Sequence, residues 1–265
     1  MTLEAFVDEF NKRLEKDSLA IFTGAGLSTA SGIRDFRGKN GLYKESNNVE
    51  EKLSYPYFRD YPASFYTYYV DHLIVPDSIK PNEGHILIKN LQDEGYVTGV
   101  ITQNIDGLDA LAGTKDVIEL HGTSKRFYCT KCHHDFPESE YVNPDVIPPR
   151  CKELNKDGTT CNGIIRPDIV LYGEPLDYEK QLKAREVVLK SSTILVLGTK
   201  LNVRPACDYI KEFIIRNQKD DTKGVFIVNM GPTDCDGFEG VYKYDGDIIE
   251  FTRELSRVRT KNIEK

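Results

Sequence analysis

The chain has 265 residues, of which 39% are hydrophobic and 29% charged, which is enough for a sizeable core and excludes an intrinsically disordered protein. Asp and Glu outnumber Lys and Arg by 42 to 35, and the formal net charge of −7 disfavours nucleic-acid binding. No apolar run approaches the roughly 18 residues of a membrane span, and the acidic N-terminus does not fit a signal peptide, so we expect a cytoplasmic protein without membrane contact.

The first elements along the chain are a predicted helix, a buried strand and a glycine turn. Apolar residues recur at the spacing of one helix face from Leu3 to Leu14. The apolar run from Leu19 to Thr23 is too short for a helix and leads directly into Gly24-Ala25-Gly26. This order predicts a strand, a tight turn and a following helix.

Four further apolar runs have the continuous character of strands buried on both faces of a parallel sheet. They cover Val97 to Thr102, Ile169 to Tyr172, Thr193 to Leu197, and Val225 to Met230. Helical patterns alternate with the predicted strands, over Gly84 to Glu94, Tyr178 to Lys190, Pro205 to Asn217, and Gly246 to Val258. The alternation predicts an α/β fold with a Rossmann-like, doubly wound parallel sheet.

Two insertions interrupt this alternation. Residues 40–83 are rich in Tyr, Asn and Pro, and their helical pattern over Pro62 to Ile74 predicts a helical insertion. Residues 123–166 contain four of the six cysteines and predict a second inserted module.

The cysteine spacing of the second module predicts a structural zinc site, because four thiolates suit a closed tetrahedral site. The expected ligands are Cys129, Cys132, Cys151 and Cys161. The first pair has the two-residue spacing typical of metal sites, whereas nine residues separate the second pair. The alternatives are that His133 or His134 replaces one cysteine, or that the module holds no metal.

The glycine turn after the first strand predicts a dinucleotide site, because glycines allow the backbone to approach a pyrophosphate. The common fingerprint is incomplete: Thr29 stands at the third glycine, and no acid ends a second strand about twenty residues on, which argues against an ordinary dehydrogenase. The whole run from Gly24 to Gly38 resembles the first signature of the sirtuins, the NAD-dependent protein deacylases.

Two further motifs extend the resemblance, which covers roughly residues 4 to 255. The run Thr102-Gln103-Asn104-Ile105-Asp106-Gly107-Leu108 follows a predicted strand, where doubly wound sheets bind ligands. Glu119-Leu120-His121-Gly122 contains a histidine, whose ordinary pKa near 6.5 suits a base at neutral pH. Each run is similar to a sirtuin signature.

The resemblance implies an NAD site. It makes His121 the general base on the ribose hydroxyls and Asn104 the residue that orients the ribose or a water. Contact with NAD is implied for these two and for Gly24, Ala25, Gly26, Ser28, Asp35, Phe36, Arg37, Gln103, Ile105, Asp106, Gly198, Thr199, Lys200, Asn229, Met230 and Asp247. Lys200 stands where the family usually has a small hydroxyl residue, and it could pair with a phosphate oxygen or crowd the adenosine.

The resemblance also implies that an acylated peptide adds as a strand along the cleft. The expected peptide contacts are Val170, Tyr172, Gly173, Glu174 and Val203. Sirtuins that remove acidic acyl groups carry a Tyr and, three residues later, an Arg, and the aligned positions here are Tyr69 and His72. Because the arginine is missing, we predict that the enzyme prefers acetyl or another short neutral acyl group.

The implied architecture is a large NAD-binding domain of residues 1–39, 84–122 and 167–265, with 40–83 and 123–166 forming a zinc-stapled small domain. The implied activity is deacylation of lysine side chains in proteins, which releases nicotinamide and 2′-O-acyl-ADP-ribose. Two alternatives stay open: an NAD-dependent protein ADP-ribosyltransferase on the same fold, and a non-catalytic module that binds NAD or acyl-lysine.

Overall fold

A six-stranded parallel sheet forms the centre of the computed structural model, which describes residues 1–36, 41–45, 48–138 and 146–263. Its strands are β1 (Leu19–Thr23), β2 (Val97–Thr102), β3 (Ile118–Glu119), β7 (Thr193–Leu197), β8 (Gly224–Val228) and β9 (Val241–Tyr244). They lie in the order β3-β2-β1-β7-β8-β9. The order in which strands are added to the sheet therefore changes direction between the parallel strands β1 and β7. Ligands of doubly wound sheets bind at the carboxyl ends of such a strand pair.

Helices cover both faces of this sheet, because successive side chains of its strands point to opposite faces. On one face, Leu19 and Ile21 of β1 pack with helices α1 (Leu3–Lys12), α6 (Glu83–Asp93) and α10 (Ile248–Ile263). On the other face, Ala20 and Phe22 pack with α8 (Tyr178–Lys190) and α9 (Ala206–Arg216). Within the described ranges, no helix combines the length and apolar character that a bilayer-spanning segment requires.

A second, antiparallel sheet and a set of short helices share a separate core. The sheet has the order β5-β4-β6 and consists of β4 (Gly122–Cys129), β5 (Asp135–Pro137) and β6 (Ile165–Ile169). The helices are α2 (Leu42–Glu45), α3 (Val49–Lys52), α4 (Tyr55–Asp60) and α5 (Pro62–Leu73). Phe65 and Tyr69 of α5 pack against Phe127 of β4 in this core. The short helix α7 (Leu108–Leu111) follows β2.

The prediction that Ile169 to Tyr172 forms a strand of the parallel sheet is wrong. The strand here is β6, four residues earlier, and it pairs antiparallel with β4. A short apolar run reports burial, but it does not identify which sheet provides the partner. Residues 170–173 instead leave the end of β6 and run along a cleft, with a single bridge between Tyr172 and Ser54.

Candidate functional site

A cleft of about 890 Å³ opens at the carboxyl ends of the parallel strands and extends to the small antiparallel sheet. Most of the residues predicted to bind a nucleotide or a peptide line it. They are Ala25, Gly26, Asp35, Phe36, Gln103, Asn104, Ile105, His121, Val170, Tyr172, Gly173, Glu174, Gly198, Thr199, Lys200, Val203, Asn229, Met230 and Asp247. The topology thus brings together motifs that are far apart in the sequence.

The glycine turns after β1 and β7 are packed against each other at the centre of the cleft. The amide of Gly26 donates to the carbonyl of Gly198 at 2.9 Å. A Cβ atom on Gly26 would lie 2.7 Å from the Cα of Gly198, and Gly198 itself has a φ of +68°. Only glycine permits this approach, which leaves a bare backbone surface of the kind that binds a pyrophosphate.

A buried polar chain ties the glycine turn to the motif that follows β2. The side-chain amide of Asn104 donates to the carbonyl of Gly24 at 3.1 Å and to the hydroxyl of Ser28 at 3.3 Å. The Ser28 hydroxyl donates to a carboxylate oxygen of Asp106 at 2.7 Å. Gly24, Ser28 and Asp106 therefore lie behind the cleft wall rather than on it, where they hold Asn104 in place.

Two buried carboxyl groups lie side by side under this motif. Burial raises the pKa of Asp106, against hydrogen bonds from Ser28 and the Leu108 amide. Burial, reinforced by the neighbouring Asp106, raises the pKa of Asp109 to about 7. The sequence assigned no role to Asp109, and its burial on the short helix α7 was not apparent from the local pattern.

His121 is oriented by a single hydrogen bond at the floor of the cleft. Its Nδ1 atom lies 2.9 Å from the carbonyl oxygen of Gln103. Because a carbonyl only accepts, Nδ1 carries the proton of the neutral ring and the lone pair is on Nε2. Burial lowers the pKa of His121, partly offset by the bond to Gln103, so the ring stays neutral and able to accept a proton.

The Gln103 side chain has an unused donor beside the cleft. Its Oε1 accepts from the Thr199 hydroxyl at 2.9 Å, while its buried Nε2 has no partner among the described residues. A buried amide donor without a partner is costly, and a ligand oxygen would satisfy it. Together with the glycine backbone, this donor fits a nucleotide that carries ribose and phosphate oxygens.

The far end of the cleft lies at β8 and the start of α10. Asn229 directly follows β8, and its side-chain amide donates to the carbonyls of Met230 and Gly231 at 3.0 and 3.3 Å. Asp247 caps α10 by accepting from the amide of Ile249 at 2.7 Å. Lys200 lines the same cleft two residues beyond Gly198, so the cationic substitution noted in the sequence does lie within the site.

The segment from Val170 to Gly173 forms the cleft edge at the small sheet. The Val170 amide donates to the carbonyl of His121 at 2.9 Å, which joins this edge to the floor. The Tyr172 amide donates to the carbonyl of Leu53 at 3.0 Å, which joins it to the helical insertion. Glu174, expected at the peptide, has its carboxylate paired with Arg166.

Besides Gly24, Ser28 and Asp106, two further predicted residues do not reach the cleft. Tyr69 is fully buried in the core of the small antiparallel sheet, where burial raises its pKa. His72 is exposed and its ring lies 4.4 Å from that of Tyr68. The structure therefore does not support their placement in an acyl pocket. Arg37 lies outside the described residues.

Apolar residues that the sequence analysis missed form the inner wall of the cleft. Leu53 follows α3, Leu73 ends α5, and Ile169 and Leu171 flank Val170. They join Phe36 and Ile105, which the motifs did identify. A leucine carries no chemical signature, so only the folded chain shows that these side chains meet at one wall.

The four predicted cysteines converge at the end of β4, and their Sγ atoms all lie within 4.8 Å of one another. The distance is 3.6 Å between Cys129 and Cys161, and 3.7 Å between Cys132 and Cys151. A tetrahedral zinc with Zn–S bonds of about 2.3 Å requires sulfur atoms about 3.8 Å apart, so the cluster fits zinc. All four positions would be filled by protein, which makes the site structural.

Comparison with known proteins gives the same relationship from independent directions. Residues 24–205 match the family model described as the Sir2 family. A curated NAD-dependent protein deacetylase of Clostridium perfringens is 38% identical over 237 residues, covering 86% of this chain and 91% of the relative. One of Thermotoga maritima is 36% identical over 260 residues, covering 96% and 97%.

Solved structures extend the likeness to the fold and its ligands. A structure described as Sir2 with p53 peptide and NAD+ matches with a TM-score of 0.79 at 33% identity, covering 98% of this chain and 99% of the other. Sir2Tm bound to a propionylated peptide matches with a TM-score of 0.78 at 32% identity and the same coverage.

Proposed function

The chain belongs to the Sir2 family and is an NAD-dependent protein deacetylase, and we propose that His121 is the general base of its cleft. The observation that carries this assignment is the 2.9 Å contact between His121 Nδ1 and the Gln103 carbonyl. It fixes the tautomer in which Nε2 has a free lone pair. Bound NAD supplies a ribose whose bond to nicotinamide can break and whose hydroxyls can receive the acyl group.

The residues around His121 have separate tasks in this proposal. Asn104, held by Gly24 and Ser28, orients the ribose or a water, while the side chain of Gln103 donates to a ribose oxygen. Ile105 and Asp106 read the nicotinamide carboxamide, and for this the Asp106 carboxyl must exchange its bond to Ser28. His121 accepts a proton from a ribose hydroxyl, since its lowered pKa keeps it neutral.

The remaining NAD contacts follow the length of the cleft. The packed glycine turns, together with Ala25 and Thr199, bind the pyrophosphate. Asp35 and Phe36 contact NAD from the segment that follows the first glycine turn. Asn229, Met230 and Asp247 hold the adenosine, with Lys200 beside it. We also propose Arg37 as a ligand of the pyrophosphate, and this role is based only on the sequence motif.

The peptide adds as a strand between the segment 170–174 and Val203, which line one cleft. Its acylated lysine enters along the apolar wall of Phe36, Leu53 and Leu73 toward His121. These apolar side chains support a short neutral acyl group. A succinylated peptide turned over as well as its acetylated counterpart would contradict this preference.

Zinc in this proposal staples the small domain, whose boundaries we place at 40–83 and 123–166, with 1–39, 84–122 and 167–265 forming the NAD-binding domain. Its thiolates hold the end of β4 and the approach to β6, so the ion acts on the fold and not on the reaction. None of the six cysteines is in a disulfide bond, which fits a reducing compartment, and we place the protein in the cytoplasm.

The test follows nicotinamide release from NAD with an acetyl-lysine peptide, for wild type and His121→Ala. We expect release to require both substrates in the wild type, with a loss of at least about a hundredfold in the variant, as is usual for a general base. Near- and far-ultraviolet circular dichroism spectra and zinc content serve as the control for folding. A folded variant with wild-type turnover would refute the assignment.

The same assay separates the alternatives. Transfer of labelled ADP-ribose to protein without any need for acyl-lysine would favour an ADP-ribosyltransferase. Stoichiometric binding of NAD or of the peptide without nicotinamide release would favour a non-catalytic module.

A further inference from the structure

Arg166 is an almost fully buried arginine at the junction of the small sheet and the cleft edge. It lies on β6 with only 2% of its surface exposed. Its guanidinium forms two bonds to the carboxylate of Glu174, at 2.7 and 2.9 Å, and a third to the carbonyl of Ile169 at 2.8 Å. The pair therefore bridges the two ends of the segment 169–174.

The carboxylate of Glu174 continues this bridge into the middle of the segment. The Glu174 oxygen that faces one guanidinium nitrogen also accepts from the Leu171 amide at 2.8 Å. Arg166 and Glu174 together thus fix the main chain at positions 169, 171 and 174, on either side of Val170. This is the stretch that the proposed function assigns to pairing with the peptide.

The surroundings of Arg166 connect this bridge to both parts of the small domain. The guanidinium carbon lies 4.9 Å from the ring centre of Phe58 on α4 and 5.7 Å from that of Tyr128 on β4. Aromatic faces of this kind hold a guanidinium in one orientation. Its direction is therefore set by the helical insertion and the zinc module together.

Stability alone is a weak explanation for a charge in this place. The free energy needed to remove two charged groups from water offsets much of the attraction between them. Apolar residues of similar size often stabilise a core equally well. A planar fork that grips two carboxylate oxygens does fix geometry, which a lysine or an apolar side chain does not.

We propose that Arg166 is a positioning residue that shapes the peptide-pairing edge through Glu174 and so sets affinity for the acylated protein substrate. The inference rests on the proposed function, because it takes the segment 170–174 to be the peptide-binding edge. It concerns a residue outside the cleft wall, which acts on the peptide and not on NAD.

The test measures KM for an acetyl-lysine peptide and for NAD in wild type, Arg166→Lys, Glu174→Gln and the double variant. Arg166→Lys keeps the charge but loses the fork. We expect peptide KM to rise about tenfold, with NAD KM and kcat at saturating peptide within about twofold, because the loss of an aligned backbone partner weakens binding by this order. The double variant should resemble either single variant, since both remove the same bridge.

Arg126→Lys is the matched control. Arg126 lies on β4 of the same small sheet and pairs with Asp168, but it is half exposed, and in the described part of the chain it forms no hydrogen bond or ion pair with residues 169–174. Its substitution should change neither KM. Thermal unfolding of each variant shows whether it is folded.

The outcomes separate the two levels of the proposal. A wild-type protein without NAD-dependent nicotinamide release would refute the proposed function. A functioning wild type with unchanged peptide KM in folded Arg166→Lys, or equal rises in both KM values, would refute the positioning role. If Arg166→Lys does not fold, Glu174→Gln decides, because its amide oxygen still accepts from Leu171, and an unchanged peptide KM there would overturn the inference.

Discussion

The chemistry that we propose for the cleft depends on how one imidazole, that of His121, is buried. His121 has its Nδ1 proton directed at the Gln103 carbonyl and its ring largely shielded from water. Both features matter for a base: the first fixes which nitrogen accepts the proton, and the second keeps the ring neutral at lower pH.

The pH dependence of turnover should report this burial. The folded pKa of His121 is lowered, so the neutral base persists below the ordinary value and is lost only as the pH falls through the lowered one. We expect the acidic limb of kcat/KM to have its midpoint below about 6.5. A pH–rate profile checks this, with His72→Gln, a substitution at an exposed ring outside the cleft, as the control. A midpoint above 6.5 would contradict the prediction.

At this scale, the sequence identified residues with distinctive chemistry and missed those without it. Gln103, Asn104 and His121 stand in motifs and do meet in the cleft. Leu53 and Leu73 line the same cleft but look like any core leucine. The predicted position of Tyr69 shows a different limit. Alignment with a motif suggested that Tyr69 lies in the acyl pocket, whereas on helix α5 its side chain is buried in the core.

One capping residue, Asn82, connects helix α6 to the segment that follows the glycine turn after β1. Asn82 caps α6 by accepting from the Gly84 amide at 2.9 Å. Its side-chain amide also donates to the Leu27 carbonyl at 2.8 Å and to the Ser31 hydroxyl at 2.9 Å. Leu27 and Ser31 are the first and last residues of a short 3₁₀ helix that follows the glycine turn, so the residue that caps α6 also anchors this 3₁₀ helix.

Substitutions at Asn82 should separate these two functions. Asn82→Ala removes the cap and both donated bonds, and we expect about 1 to 2 kcal/mol less stability together with a higher KM for NAD. Asn82→Asp keeps the cap oxygen but not the donors, so NAD KM should rise with a smaller loss of stability. Thermal unfolding and NAD kinetics measure the two effects.

Asp177→Ala supplies the comparison for this pair. Asp177 caps α8 by accepting from the Lys180 amide at 2.8 Å and does not line the cleft. Its loss should lower stability by a similar amount and leave NAD KM unchanged. If Asn82→Asp also left NAD KM unchanged, the two bonds that Asn82 donates would not matter for NAD binding, and the prediction would be contradicted.

Periodicity predicted the long elements well and the short ones poorly. The helix predicted over Tyr178 to Lys190 and the strand over Thr193 to Leu197 have those same bounds in the structure. The edge strands β3 and β9 were not predicted, because their residues are only half buried and β3 has just two. Burial on both faces leaves a signal in the sequence, and an edge position does not.

At the scale of the whole molecule, the buried carboxyl groups beneath the cleft lower the free energy of unfolding by an amount that depends on pH. The folded pKa of Asp109 is raised to about 7, above its unfolded value of about 3.9. Burial of this carboxyl group therefore does not destabilise the fold below the unfolded pKa, and the destabilisation grows as the pH rises until it is complete above the folded pKa.

Asp109→Asn should remove this dependence, because an amide keeps the shape without the charge. We expect the variant to be more stable than the wild type by about 2 to 4 kcal/mol at pH 8, with the difference disappearing toward pH 4. Denaturant unfolding across this pH range measures it, with the exposed Asp71→Asn as the control. A variant less stable than the wild type at pH 8 would contradict the prediction.

At the scale of the whole chain, alternation of strands and helices sufficed to predict a doubly wound sheet, and the cysteines sufficed to predict the zinc module. The alternation could not predict the path of residues 169–174, because two backbone partners of that path, Leu53 and His121, come from distant segments of the chain. Pairing across such distances is a property of the assembled molecule and leaves no local pattern.

The Val170 amide donates a hydrogen bond of 2.9 Å to the His121 carbonyl. The edge that we propose for the peptide is therefore joined directly to the backbone of the residue that we propose as the base. If a peptide binds along this edge as proposed, we expect it to restrict the backbone of His121 as well. We therefore expect consumption of NAD to depend on whether a peptide occupies this edge.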